Sequence, residues 1–253
     1  MLKAIAFDLW ETLITDTPQV SRQQERIRLD RMERILIDRG LSVTAQRIED
    51  AYRALWHRCQ ELYWSRDQDI ACRTQIEHFL EALELDPATF DPADLDALES
   101  VYASAAVELP PSMVDGAAET LKALEKQGFR IGLISNTGRT PGSALRDVLR
   151  GLGLSESIHS MVFSNEHGAC KPQRSIFESL RSALGLPFDQ IAFVGDNPYA
   201  DVHGAQSCGM KGILFLPAER GTAVAPPVDH GLQIVPDATI RDLRELIGLV
   251  PRL

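Results

Sequence analysis

The chain has 253 residues and a formal net charge of -10, with 44% hydrophobic and 25% charged residues. That is enough apolar chain to bury one large core, or a core with an insertion, while the acidic balance argues against nucleic acid or an anionic membrane surface as partner. The chain shows no secretory leader pattern and no apolar run of transmembrane length, so a cytoplasmic protein is expected.

In chain order, "LKAIAFDL" predicts a short buried strand. From Pro18 to Val107 apolar residues recur at helical spacing, which predicts helices near 19–39, 44–64, 70–84 and 93–107. Gly40, Asp86-Pro87 and Asp91-Pro92 supply the breaks between them. After "LPPSMVDG" the short runs "FRIGLIS", "SIHSMVFS", "QIAFVGD" and "KGILFL" alternate with further helical segments. Such alternation predicts an α/β fold, a parallel sheet wrapped by helices, with a helical insertion after its first strand. The Pro/Gly/Ala-rich "LPAERGTAVAPPVDHG" reads as a surface connection. Cys59, Cys72, Cys170 and Cys208 form neither a CxxC pair nor a metal-ligand spacing and read as reduced thiols without a chemical role.

Open parallel sheets bind ligands at the carboxyl ends of their strands. The first run ends in Asp8, "IGLIS" ends in Ser135 followed by Asn136, and "IAFVG" leads into Asp196, with Asp201 five residues on. Lys171-Pro172 falls in a loop just before a helix. Three carboxylates, one ammonium and two neutral groups gathered in one place need either raised pKa values or a cation. A hard divalent ion held by oxygens relieves the conflict, and magnesium suits a site that a phosphate completes.

The ordered set Asp8-x-x-x-Thr12, Ser135-Asn136, Lys171-Pro172 and Gly195-Asp196-x-x-x-x-Asp201 resembles the four motifs of the haloacid dehalogenase superfamily of hydrolases. The resemblance implies a Rossmann-like parallel-sheet core, residues 1–16 and 110–253, and an inserted all-helical cap, residues 17–109. It further implies Asp8 as a nucleophile that forms an aspartyl phosphate, with Thr12, Ser135 and Lys171 as catalytic companions. Asp8, the backbone carbonyl of Trp10 and Asp196 would be magnesium ligands, and Asp201 would ligate or orient the others. A small phosphorylated molecule would be the substrate; the oligomeric state stays open.

Trp10 departs from the pattern. Typical phosphatases of the superfamily carry a second aspartate there, which protonates the leaving oxygen and then activates water; an indole N–H does neither. General acid/base assistance contributes about 100- to 10,000-fold. An easy leaving group, a substitute acid such as Glu11, or low turnover would each accommodate the loss. A halide leaving group needs no proton, and the superfamily's 2-haloacid dehalogenases resemble this chain in having an aromatic residue at the position. They differ in lacking the metal carboxylate that Asp196 restores, and in a tyrosine where Phe177 stands. A phospho-ligand binder with little turnover is a third reading. The phosphonate-cleaving branch needs a cap lysine, and none occurs from Thr17 to Leu109.

The predicted first cap helix carries Arg22, Arg26, Arg28, Arg31, Arg34 and Arg39 among acidic residues, the pattern of a solvated face. Arg22, nearest the hinge from the catalytic loop, and Arg139, just after Ser135-Asn136-Thr137, are the candidate clamps for an anionic substrate. Trp10, Ser135 and Asn136 complete the expected substrate contacts. Tyr52, Trp56, Tyr63 and Trp64 have partly helical spacing and read as packing within the cap.

Overall fold

The computed structural model describes residues 1–217 and 231–253. The stretch expected as a surface connection lies almost wholly outside them. Strand β1 (Ala4–Phe7) is buried along its whole length. After it the chain turns back on itself: Glu11 and Leu13 amides donate to Ile14 and Leu9 carbonyls, and the turn leads into β2 (Ile14–Thr15). Glu11 takes the left-handed conformation there, φ 57°.

Four helices follow: α1 (Pro18–Asp38), α2 (Ala45–Leu62), α3 (Cys72–Ala82) and α4 (Pro92–Glu108). Three of their starts have a clear physical reason. Thr17, Thr44 and Asp91 each accept an amide hydrogen bond from the first turn, and prolines stand at the first helical position of α1 and α4. The helices close around a core of their own that includes Met32, Leu36, Ile76, Phe79, Leu98 and Tyr102. The chain re-enters through β3 (Ser112–Met113), which pairs antiparallel with β2, Thr15 opposite Ser112. This two-stranded ribbon therefore binds the outgoing and returning chain together. Two residues per strand are too few to show a period, so the ribbon was not foreseen.

The remainder alternates: α5 (Ala117–Lys126), β4 (Arg130–Ser135), α6 (Gly142–Gly151), β5 (Ser160–Phe163), α7 (Ser164–His167), α8 (Arg174–Leu184), β6 (Ile191–Gly195), α9 (Gly204–Cys208), β7 (Lys211–Phe215) and β8 (Ala238–Ile240). All pairings in the main sheet are parallel, in the order β5-β4-β1-β6-β7-β8. Chain order reverses at β1, with β4 and β5 on one side and β6 to β8 on the other. That places the ligand crevice at the end of β1. Alternation divides the side chains between the faces. Ile5, Phe7, Ile131, Leu133 and Val194 pack under α5 and α6, while Ala4, Ala6, Ile134 and Phe193 pack under α8 and α9.

Candidate active site

The ends of β1, β4 and β6 converge on Lys171. Asp8 directly follows β1, and its amide donates to the Val194 carbonyl at 2.8 Å. Ser135 is the last residue of β4 and Asp196 follows β6. The Lys171 ammonium, 3% exposed, donates to Asp8 Oδ1 at 2.5 Å and to the Ile134 carbonyl at 3.0 Å. It also sits 2.7 Å from Asp201 Oδ1, a charge contact without hydrogen-bond alignment. Asp201 Oδ2 accepts the Asn197 amide at 2.9 Å. Asp201 can tuck this close only because residue 195 is glycine: a Cβ there would fall 2.2 Å from Asp201 Oδ2.

Burial sets the electrostatics. Removal from water raises the Asp8 pKa, Lys171 pulls it down, the Asp201 charge raises it again, and the net direction is upward. Burial likewise opposes the Lys171 charge, but Asp201 and Asp8 outweigh it and hold the ammonium protonated. One carboxylate oxygen from each of Asp8, Asp196 and Asp201 lies within 4.8 Å of the others. An all-oxygen donor set with more negative charge than one ammonium offsets suits a hard divalent cation, so these residues fit magnesium.

The other expected residues divide. Ser135 is fully buried with its hydroxyl 3.4 Å from the Asn136 carbonyl. The Thr12 hydroxyl is buried with no partner. Asn136 is engaged with the chain: its amide group donates to the Lys171 carbonyl at 3.1 Å and accepts the Lys171 N–H at 2.8 Å. It thereby fixes the lysine loop against the end of β4. Trp10 is half-buried and borders a cavity of about 310 Å³ between the helical insertion and the sheet.

That cavity is also lined by Asp16, Gln24, Arg28, Trp56, Asn136 and Arg139. Arg22 is exposed on α1 and is not among its lining residues. Arg28 occupies the inward face instead, donating to the Tyr102 carbonyl at 2.8 Å and to Thr140 Oγ1 at 3.1 Å. Helical spacing explains the difference, since residues 22 and 28 point to different sides of α1. The remaining arginines largely form the solvated face: Arg26 pairs with Asp30 and Arg31 with Glu108. Arg139 lines the cavity but is engaged too, its guanidinium 4.4 Å from the Tyr52 ring centroid and 4.5 Å from that of Trp56, with Glu25 at 3.6 Å. Tyr52 and Trp56 thus pack within the insertion and also grip a side chain of the sheet domain. Glu11, weighed as a substitute acid, turns elsewhere: it accepts the Thr15 hydroxyl at 2.9 Å and lines a separate cavity with Arg241 and Arg244. Phe177 is fully buried, edge-on to Phe193.

A second group of contacts went unforeseen. Asp69, buried between α2 and α3, accepts the Ser164 hydroxyl at 2.5 Å, the Thr137 hydroxyl at 3.1 Å and the Trp64 indole N–H at 2.9 Å. Beside it, the Asp69 amide donates to the Gly168 carbonyl at 3.2 Å, and the Asp67 carbonyl accepts the Cys170 amide at 2.8 Å and the Gln173 side chain at 3.0 Å. The tip of the insertion is thereby laced to the loop that carries Lys171.

A parallel sheet with its charged groups gathered where chain order reverses places the protein among the α/β proteins that work at strand carboxyl ends. Residues 2–209 match the haloacid dehalogenase-like hydrolases, and the chain belongs to that family of hydrolases. It is 29% identical over 250 residues to a ribulose-1,5-bisphosphate 5-phosphatase of Halopiger xanaduensis, covering 99% of this chain and 100% of that protein. It is 28% identical over 215 residues to a glyceraldehyde 3-phosphate phosphatase of Pyrococcus abyssi, covering 85% of this chain and 82% of that one. In fold it is similar to a 2-haloacid dehalogenase of Pseudomonas syringae, with a TM-score of 0.67 at 24% identity over 100% of this chain and 99% of that one. No helix among the described residues is long and apolar enough to cross a membrane.

Proposed function

We propose that the protein is a magnesium-dependent phosphatase of a small phosphorylated metabolite, with Asp8 as the nucleophile. The observation that carries the reading is the gathering of Asp8, Asp196 and Asp201 oxygens within 4.8 Å of one another, with the Lys171 ammonium against Asp8 and Asp201. A metal-free reaction would leave Asp196 to repel Asp8 and blunt it as a nucleophile. The names of the two archaeal relatives, both phosphatases of small sugar phosphates, support the same choice.

Asp8, the Trp10 carbonyl and Asp196 would hold magnesium, with Asp201 orienting them. Bound there, the ion would offset the phosphate's charge so that an anionic ester can approach a carboxylate. In the reaction, an Asp8 carboxylate oxygen bonds phosphorus as the ester P–O bond breaks, giving an aspartyl phosphate that water then hydrolyses. Ser135 donates to the phosphoryl oxygens, and Lys171 balances charge on Asp8 and the phosphate. The helices of residues 17–109 act as a cap over the cavity, whose lining of Trp10 and Trp56 beside Gln24, Arg28 and Asn136 selects the alcohol portion of the substrate.

Trp10 favours a second reading, dehalogenation of a 2-haloacid, since an aromatic side chain cannot supply the proton that an alkoxide needs and a halide does not. Phosphate and halide release measured in parallel, with magnesium and with chelator and with Asp8→Asn as blank, separates the two. Phosphate release that requires both magnesium and Asp8 is the expected result. Halide release that survives chelation would replace the phosphatase reading with the dehalogenase one.

A further inference from the structure

If the protein is a phosphatase, the proton that Trp10 cannot provide must come from elsewhere. Asp16, at the stem between β2 and α1, is 5% exposed and borders the same cavity as Trp10 and Asn136. Its Oδ1 is buried with no hydrogen-bond partner, and its Oδ2 accepts a long bond, 3.4 Å, from the Ser21 hydroxyl. A buried carboxylate left with so few donors is unusual, because charge out of water is normally paired or well hydrogen-bonded.

The other acids around the cavity are occupied. Glu25 pairs with Arg139, and Asp69, deeper behind Thr137, accepts from Ser164, Thr137 and Trp64. Glu11 is turned towards Thr15. Among the described residues lining the cavity, Asp16 is thus the buried carboxyl without an ion pair. Trp10 and Asn136, two residues after Asp8 and one after Ser135, line the same cavity that Asp16 borders.

We infer that Asp16 is the catalytic acid and base of this enzyme, replacing from the cap stem the function missing at Trp10. This rests on the phosphatase reading above. As Asp8 bonds phosphorus and the ester P–O bond breaks, the Asp16 carboxyl gives its proton to the departing oxygen. Asp16, now a carboxylate, then takes a proton from water as the water oxygen bonds phosphorus and the bond from phosphorus to Asp8 breaks. Ester and water become alcohol and phosphate, and both aspartates return to their starting states.

The protonation state agrees. Burial pushes the Asp16 pKa up to about 6; hydrogen bonding from Ser21 and Gln24 and the Arg28 charge lower it, and Glu11 raises it. A group that titrates near neutrality can both give and take a proton. The charged groups facing it are Arg28 from α1 and Glu11 from the catalytic turn; Glu25 and Arg139 line the same cavity.

The test uses the full chain with magnesium and a series of phosphate esters from alkyl to dinitrophenyl, comparing wild type with Asp16→Asn and Asp16→Ser. Both variants should lose about 100- to 10,000-fold in kcat on alkyl esters. With dinitrophenyl phosphate, which needs no protonation, they should show a rapid burst of phenolate matching the enzyme concentration, followed by slow turnover. The burst counts folded sites able to form the phosphoenzyme. Alkyl-ester rates within about threefold of wild type, or equal losses on both ester classes, would overturn the assignment and leave the phosphatase reading standing. A wild type that releases no phosphate from any ester would overturn both.

Discussion

The ammonium of Lys171 lies 2.5 Å from the nucleophile candidate Asp8, with almost no water around either group. Neither charge is stable there alone. Replacing Lys171 with methionine leaves Asp8 and Asp201 buried without their counter-charge, and breaking such a pair costs about 3–5 kcal/mol. The expected outcome is a matching loss of unfolding free energy in urea at pH 7. The loss should be smaller at pH 5, where Asp8, its pKa raised by burial, more readily takes up a proton. Millimolar magnesium should recover part of it if the metal binds the same acids.

Gly195 and Asp201 provide a steric test of the same centre. Alanine at 195 would put a methyl carbon 2.2 Å from Asp201 Oδ2, so the carboxylate must move and give up the Asn197 amide. Gly195→Ala is expected to lower stability by roughly 1–3 kcal/mol through overpacking. It should also lower phosphate release by about 100-fold, the scale of a 1 Å misplacement near reacting groups. Thermal unfolding and steady-state assays check the two parts separately.

Arg139 joins the two halves of the molecule by lying against Tyr52 and Trp56. Arg139→Ala should remove about 0.5–2 kcal/mol of cation–π attraction. The exposed contact with Glu25 adds little. A lowered melting temperature, a shift in tryptophan emission from Trp56 and a raised KM with little change in kcat are the expected signs.

Asp16 also has a stability signature that does not depend on catalysis. Its folded pKa, about 6, lies above the ordinary carboxylate value of 3.8, so its proton favours the folded state. That contribution is complete below the unfolded pKa and disappears as pH rises through about 6. Asp16→Asn should therefore match wild type near pH 4 and exceed it by roughly 1–3 kcal/mol above pH 7, since each pKa unit corresponds to about 1.4 kcal/mol. Urea unfolding from pH 4 to 8 would reveal the divergence; parallel curves would contradict it.

The positions of Asp8, Ser135 and Asp196 were legible because each stands at or just beyond the end of an apolar run, and a parallel sheet brings such ends together; Asp201 followed from its spacing of five residues after Asp196. The helices of the insertion were legible through the helical spacing of their apolar residues and the Gly40, Asp86-Pro87 and Asp91-Pro92 breaks. What escaped depends on contacts distant in sequence. Arg28 looks like its neighbours on α1 until Tyr102 and Thr140, 74 and 112 residues away, close over it. Asp69 is one acid among many until Thr137 and Ser164 meet it. Asp16 resembles an ordinary turn residue, and its burial follows from the packing of α1 against the sheet domain. Strand β8, three residues long, shows too little alternation to be recognised.

The lacing of Asp67 and Asp69 to the loop from Gly168 to Gln173 limits how the helices can travel. A layer held at one edge swings like a door. This one is held at the ribbon of β2 and β3 and again at the far side, so a swing about the first hinge must tear the second fastening. The motion left to it is a roll about the line joining the two attachments. Because the second attachment is the lysine's own loop, any larger displacement of the helices would draw on the loop that sets Lys171 against Asp8.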